Sequence, residues 1–301
     1  MYYNTYHDYC RRTFGRRVQK ISVNAGFTCP NRDGTKGTGG CAFCNNSTFN
    51  PDYCRADVDI LRQIDDGILF FKKYNADLFF AYFQAYSNTY GETQEVIGLY
   101  RKALSHSRIS GLVIGTRPDC LADDLLDELA KLAENHHIVV ELGAESCYND
   151  TLSAINRGHT WEDSVEAVNR LNDRNIPVGL HMIMGLPGET REMQLAEAAA
   201  ISKLPVTFLK LHQLQIVKGS RFAQLYAEQP RQFDLWTLDD YIDFCIDFAE
   251  RLNPAIVIER FVSQAPREMV VAPFWNVKNF EFVHKLEHRF GERHTYQGRL
   301  F

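Results

Sequence analysis

Long apolar runs are missing from this sequence. Stretches such as LFFAYF at 78–83 are far too short to cross a bilayer, which excludes a membrane-spanning protein. The opening MYYNTYHDYC shows no basic-then-apolar signal pattern. No linker or repeat stands out. An excess of basic charge is lacking too: 33 Lys and Arg against 38 Asp and Glu give a net charge of −5, so overall charge does not advertise a nucleic-acid partner. These absences point to a cytoplasmic protein. Its 301 residues are enough to bury one large α/β core or two small ones.

Cysteine is not scarce. There are eight, and in a reducing compartment they should stay free, so close spacing suggests metal or redox chemistry rather than a disulfide. Three fall in FTCPNRDGTKGTGGCAFCNN (27–46), where Cys29, Cys41 and Cys44 give C-x11-C-x2-C. The loop between them holds Gly34, Gly37, Gly39 and Gly40, which rules out a regular helix or packed strand. Cys10, Cys54, Cys120, Cys147 and Cys245 lack ligand spacing and read as buried thiols. Cys120 and Cys147 follow predicted strands, so a thiyl role is conceivable for them.

Along the chain, short β-branched or aromatic runs alternate with amphipathic helical stretches. Strands are expected at 17–24, 77–84, 108–116, 137–143, 176–184 and 206–215. Helices are expected around Val58–Phe71, at 93–106, 121–134, from Trp161, and at 190–203. Six βα units in about 200 residues argue a parallel sheet with helical crossovers, either a partial (β/α)6 TIM-type barrel or an open doubly wound sheet. Residues 1–16 read as a basic, aromatic N-terminal extension and 17–235 as the core. Residues 236–301 read as a C-terminal helical extension packed on it, with IVIER as a strand. In either architecture functional groups lie at the C-terminal strand ends. The cysteine loop follows the first strand and so belongs to that face.

Three readings of the loop compete. GTGGCA (37–42) formally matches a dinucleotide fingerprint, but the glycines do not follow the strand directly and CNNSTFNP after them is no helix. Structural zinc needs a fourth ligand, with Cys54 the candidate, and usually paired knuckles. A [4Fe–4S] cluster on three thiolates leaves one iron open to a cofactor or substrate.

Further motifs follow in register: YFQAYSNTY (82–90), GTRPDC (115–120), VELGAES (140–146), INRGHT (155–160), MGLPGET (184–190), KLHQLQIVKGS (210–220) and ERFVSQAP (259–266). Together with the long-spaced cysteines and Phe43 just before the last of them, they resemble the radical S-adenosylmethionine (SAM) enzymes. The branch is that of the YhcC/YtqA-like and Elp3-like proteins, and the resemblance spans nearly the whole chain. It implies a partial (β/α)6 barrel, a [4Fe–4S] cluster on Cys29, Cys41 and Cys44, and bound SAM. A flavodoxin- or ferredoxin-like electron donor is implied as well. Gln84, Ser87 and Asn88 stand where relatives bind the SAM amine. Arg117 and Arg157 suit the SAM carboxylate through a planar fork, and Gly185 and Leu186 border the adenine. Glu145 stands where this branch usually has Gln, in a position for the ribose. FVSQAP departs from the more usual Leu-Thr-Gly-Asp-Ala-Pro. Plainer readings are a turn for 185–188, a polar loop for 84–88 and surface ion pairs for the arginines. His181 and His212 read as satisfied structural histidines.

The kinship implies the wobble uridine side chain of tRNA as substrate, with a small molecule as the rival and a non-enzymatic zinc or iron–sulfur module as a third possibility. Arg11, Arg12, Arg16, Arg17 and Lys20 near the start, and Lys285, His288, Arg289, Arg293, His294 and Arg299 near the end, would make one phosphate-binding face if the termini meet.

Overall fold

The computed structural model describes residues 2–45 and 51–301. Residues 46–50, part of the stretch expected to be non-helical, lie outside the described residues. Seven strands form one sheet in the order β1 (Val18–Val23), β2 (Leu78–Phe83), β3 (Ile109–Thr116), β4 (His137–Glu145), β5 (Val178–Met184), β6 (Phe208–Gln213), β8 (Val257–Arg260). Every neighbouring pair is parallel. The sheet curls into a half-barrel that does not close, since β1 and β8 do not pair. Six strands match the expected ones. The seventh is IVIER, so the tail supplies an edge of the barrel as well as helices.

Parallel strands need covered crossovers. These run through α2 (Ile60–Phe70), α3 (Thr93–Leu104), α4 (Asp123–Ala133), α6 (Trp161–Asn172) and α7 (Arg191–Ser202). Alternation along β4 shows how one strand serves two cores. Ile138, Val140 and Leu142 belong to the large cluster under the helices, while Val139 joins a second cluster on the concave side. That concave cluster is completed by α1 (Tyr6–Phe14), whose Tyr6, Tyr9 and Phe14 pack on Phe80, Val113 and Phe208. The N-terminal extension is therefore a helix plugging the end of the barrel where the strands begin. Thr5 caps it through Asp8 N, and Gly15 ends it in the left-handed region at φ +64°.

The expected strand 206–215 is split. Gln213 ends β6, and Ile216–Val217 (β7) turns away to pair antiparallel with Val270–Ala272 (β9). α5 (Asn149–Ala154) and α8 (Arg221–Glu228) were not legible as separate helices; α9 (Leu238–Arg251) and α10 (Asn279–Glu292) complete the chain.

The termini do meet. Tyr2 stacks on Phe290 at 5.6 Å and Gln297 N donates to Tyr2 O. The single basic face does not form, for two reasons. Arg289, Arg293 and Arg299 are spent on the α9 carboxylates Asp243, Asp247 and Glu250, at 2.7, 2.5 and 3.0 Å. Lys20 points into the barrel, within 2.8 Å of Glu141 and 2.6 Å of Glu259.

Candidate active site

A cavity of about 700 Å³ opens at the C-terminal ends of the strands. Cys29, Cys41 and Cys44 line one wall of it. Their loop has little apolar material to pack, and hydrogen bonds shape it instead. Gly40 N reaches Asn31 O, Cys44 N reaches Cys41 O, Ala42 N reaches Ile155 O, and Asn156 Nδ2 donates to Gly40 O at 2.9 Å. Gly40 sits at φ +80° with the Arg32 guanidinium 3.0 Å from where a Cβ would be, so only glycine lets Arg32 lie across it.

Arg32 thereby brings Nη2 to 3.6 Å from Cys44 Sγ. Arg157 Nη1 lies 3.5 Å from Cys41 Sγ, and Asn31 Nδ2 lies 3.7 Å from the same sulfur. Two guanidinia and an amide are thus aimed at two of the three sulfurs. Burial pushes the Cys44 thiol up, with Cys41 adding to this, and Arg32 pulls it back. Burial works against the Arg157 charge, yet Cys41 and Glu145 hold it more firmly protonated than usual.

Glu145 is placed by an irregularity. The β4–β5 register slips between Gly143 and Glu145, and Glu145 adopts φ +72°. Such a bulge re-aims a side chain. Glu145 folds back over Gly143 to 3.4 Å from Arg157, and burial raises its carboxyl. Arg117, 2% exposed, is gripped in bidentate fashion by Asp119, both contacts at 2.9 Å. Burial alone would raise the Asp119 carboxyl, but Arg117 and Lys36 bring it down to about 2. Among the described residues Arg117 Nη1 and Arg157 Nε are buried with no partner, so both arginines keep a donor that no described residue takes up.

This donor set fits a cluster better than a single ion. Among the described residues no three Cys, His, Asp or Glu side chains converge on a one-metal site. Each thiolate of a four-iron cluster takes its own iron, so cysteines spread along one wall suit it. A structural zinc ion needs four ligands at about 2.0–2.3 Å. Cys54, the proposed fourth, is off the cavity wall, and burial raises it to about 12. Cys10, Cys120, Cys147 and Cys245 are also absent from the wall, each raised by burial.

Phe43, Gln84, Ser87, Arg117, Glu145 and Arg157 join the cysteines around the cavity. Three expected residues do not. Asn88 is fully buried and ties β2 to β3 through Phe83 O and Gly115 O. Gly185, at φ +93°, makes the turn after β5 under the Trp236 indole and donates its N–H to Gln194. Leu186 packs in a separate apolar cluster. The neighbouring strand position that does face the cavity is Ile183.

Sequence reasoning missed Asn31, Arg32 and a charged floor. Glu141 receives Lys20 at 2.8 Å, Lys210 at 2.6 Å and His181 Nε2 at 2.9 Å. Glu259 bridges the same lysines at 2.6 and 3.1 Å. Burial would raise Glu141, and the two lysines instead hold it well below the usual carboxylate range. Burial lowers Lys210 to about 8 and His181 to about 4. The available signal was charge at inward positions of strands that otherwise read as apolar. The two histidines are satisfied as expected, His181 by Glu141 and His212 by Arg260.

A parallel half-barrel with three cysteines on one wall of its mouth defines a class, and comparison with known proteins gives the same one. Residues 29–199 match the model of the radical SAM superfamily and residues 206–292 that of the Radical_SAM C-terminal domain. The chain belongs to the radical SAM superfamily. Within it, the chain is 34% identical over 300 residues to YtqA of Bacillus subtilis (strain 168), covering 99% of this chain and 92% of YtqA. A tRNA uridine(34) acetyltransferase of Methanocaldococcus infernus is 26% identical over 190 residues, 62% of this chain and 34% of that protein. The solved archaeal Methanocaldococcus infernus Elp3, lacking residues 1–46, superposes with a TM-score of 0.70 at 17% identity, over 93% of this chain and 64% of that one. The resemblance read from the motifs is borne out, as is the partial-barrel fold. The protein is a radical SAM enzyme.

Proposed function

We propose that Cys29, Cys41 and Cys44 hold a [4Fe–4S] cluster and that SAM binds beside it, against Gln84, Arg117, Glu145 and Arg157. The observation that carries this reading is three cysteines on a cavity wall with cationic or amide donors on two sulfurs, beside two arginines whose buried nitrogens have no partner among the described residues. When bound, the cluster and SAM supply a 5′-deoxyadenosyl radical that abstracts hydrogen from substrate. The chain's own residues orient and enclose. Arg157 offers its free Nε toward a carboxylate while steadying Cys41. Asp119 fixes the plane of Arg117. The loop and the strand ends keep water out. The electron donor is a flavodoxin- or ferredoxin-like protein.

For the substrate we propose the wobble uridine side chain of tRNA. Support comes from the tRNA uridine(34) acetyltransferase likeness and from the cavity rim. There Phe70 lines the cavity and is 60% exposed, and Arg267, Lys278 and Phe280, next in sequence to the lining residues Pro266 and Asn279, are exposed, the two cations without an ion pair among the described residues. Cations for phosphates and rings for bases are the usual parts of an RNA surface. Arg11, Arg12, Arg16 and Arg17 lie on or just after α1, at the closed end of the barrel. The phosphate contacts therefore move from the termini to the rim.

The anaerobically reconstituted protein should carry about four iron and four sulfide. Cys29→Ala, Cys41→Ala and Cys44→Ala should each abolish the cluster and Cys54→Ala should not. Stoichiometric zinc without iron would overturn the cluster. Mass spectrometry of tRNA nucleosides from cells with and without the gene tests the substrate. An unchanged wobble position would leave the small-molecule reading.

A further inference from the structure

The floor of the cavity carries charge that its own residues do not balance. Glu141 and Glu259 are both committed to Lys20 and Lys210, each carboxylate within 3.1 Å of both lysines. Those four groups form a neutral square beneath the floor. Arg260 is left over. Its Nε and Nη2 both donate to His212 Nε2, at 3.0 and 2.6 Å. An imidazole that accepts at Nε2 is neutral, with its proton on Nδ1. Burial and Arg260 itself hold His212 well below its ordinary value. No carboxylate lies within 4 Å of the Arg260 guanidinium among the described residues.

The placement of Arg260 is built rather than incidental. The β6–β8 register slips between Leu209 and Lys210, so that Lys210 pairs with Arg260 rather than Glu259. Two consecutive residues are thereby brought to the concave side, Glu259 onto the lysines and Arg260 onto the cavity wall. A half-buried cation next to a neutral ring is costly unless an anion completes it. Glu145, the lining carboxylate outside that square, is engaged with Arg157.

We infer that Arg260 binds a terminal carboxylate of the substrate, with His212 as the positioning residue that holds the guanidinium plane. A carboxylate carries the single negative charge the floor lacks and matches a guanidinium edge. A phosphodiester continues as chain on both sides, and the floor is closed beneath by the lysine–glutamate square and α1. A phosphate monoester brings nearly two charges where one is missing. The inference deepens the reading of this cavity as the substrate site and rests on it.

The test uses the iron-free protein, so that it stands apart from cluster assembly. Acetate, its neutral isostere acetamide, and inorganic phosphate are titrated while the melting temperature is followed. Ligand that binds the folded chain alone raises that temperature. Acetate should raise it by about 2–4 °C near saturation, with no response to acetamide. Arg157→Ala, which removes the fork proposed for the SAM carboxylate, should keep the response; in that background Arg260→Met should abolish it and Arg260→Lys should weaken it several-fold. The ligand-free Arg260→Met protein should melt no lower than wild type, because the substitution removes an uncompensated cation. An acetate response that survives Arg260→Met in the Arg157→Ala background, or vanishes in Arg157→Ala alone, would place the anion elsewhere and overturn the inference. So would a response to phosphate and not to acetate, or none to either. If Arg260→Met does not fold, Arg260→Lys carries the test, since it keeps the charge and loses the fork. Failure of the radical SAM reading would show instead as absent iron after reconstitution, which this measurement does not involve.

Discussion

At the scale of single residues, Gly143 decides how the cysteine wall meets the rest of the cavity. A Cβ there would lie 2.5 Å from Glu145 Oε1 and 2.6 Å from Arg157 Nη2. Both neighbours are side-chain ends, so they can move and the strand can survive. Arg157 would then leave Gly143 O, which it now holds at 2.5 Å, and with it Cys41. Gly143→Ala should therefore cost only about 1–2 kcal/mol of stability, as mild overpacking does. It should weaken SAM binding by about tenfold, because the guanidinium fork is displaced. Equilibrium dialysis of SAM against the reconstituted variant checks this, and unchanged affinity would separate Arg157 from the cofactor. The VELGAES stretch could be read as a strand end, but the overlap of two side chains on one α-carbon could not. It depends on Arg157, 14 positions away.

At the scale of elements, α1 illustrates what a short aromatic helix can do. Tyr9 meets Phe208 edge-on at 4.8 Å, and Phe14 meets Phe80 at 5.4 Å and His137 at 5.0 Å. These contacts seal the concave face where the strands begin. Phe14→Ala should cost about 2–3 kcal/mol, somewhat less than a fully buried Phe because Phe14 is only partly covered. Urea unfolding of wild type and variant measures it; a loss under 1 kcal/mol would make α1 a surface ornament. Nothing in MYYNTYHDYC announced this role. Aromatic residues are middling helix formers, and a nine-residue helix is stable only against its partner. That partner is built from strands up to 250 residues later.

At the scale of the whole molecule, the buried histidines set an acid limit. Burial, reinforced by Lys20, holds His137 at about 4. Burial holds His181 at about 4 and His159 at about 2. In the unfolded chain each titrates near 6.5. Between these values the unfolded state binds more protons, so the histidines' contribution is complete above pH 6.5 and is lost as pH falls toward 4. The raised carboxyls of Glu189 and Glu197, both lifted by burial, act in the opposite sense. A comparison with His137→Gln isolates one histidine. Wild type should lose up to about 3 kcal/mol more than the variant between pH 6.5 and 4. Urea midpoints of the iron-free proteins at three pH values read the difference. Parallel pH profiles would show that His137 is not held neutral.

The sequence by itself determined the alternation of strands and helices, the face on which the cysteine loop lies, and the spacing of Cys29, Cys41 and Cys44 within it. These are local properties. Hydrophobic period, glycine content and cysteine spacing are written within a few dozen residues and survive whatever the rest of the chain does. Tertiary structure decided everything that depends on register and on meeting across the barrel. It moved Asn88 and Leu186 off the cavity wall and brought Asn31 and Arg32 to the sulfurs. It turned Lys20 from a surface cation into an interior one, and it neutralised the C-terminal arginines against α9. It also slipped β8 by one residue, so that Glu259 and Arg260 both face inward. Side chains alternate along a strand, so one residue of slip moves a charge from one face to the other. A slip arises between neighbouring strands, here β6 and β8, whose sequences lie more than 40 residues apart.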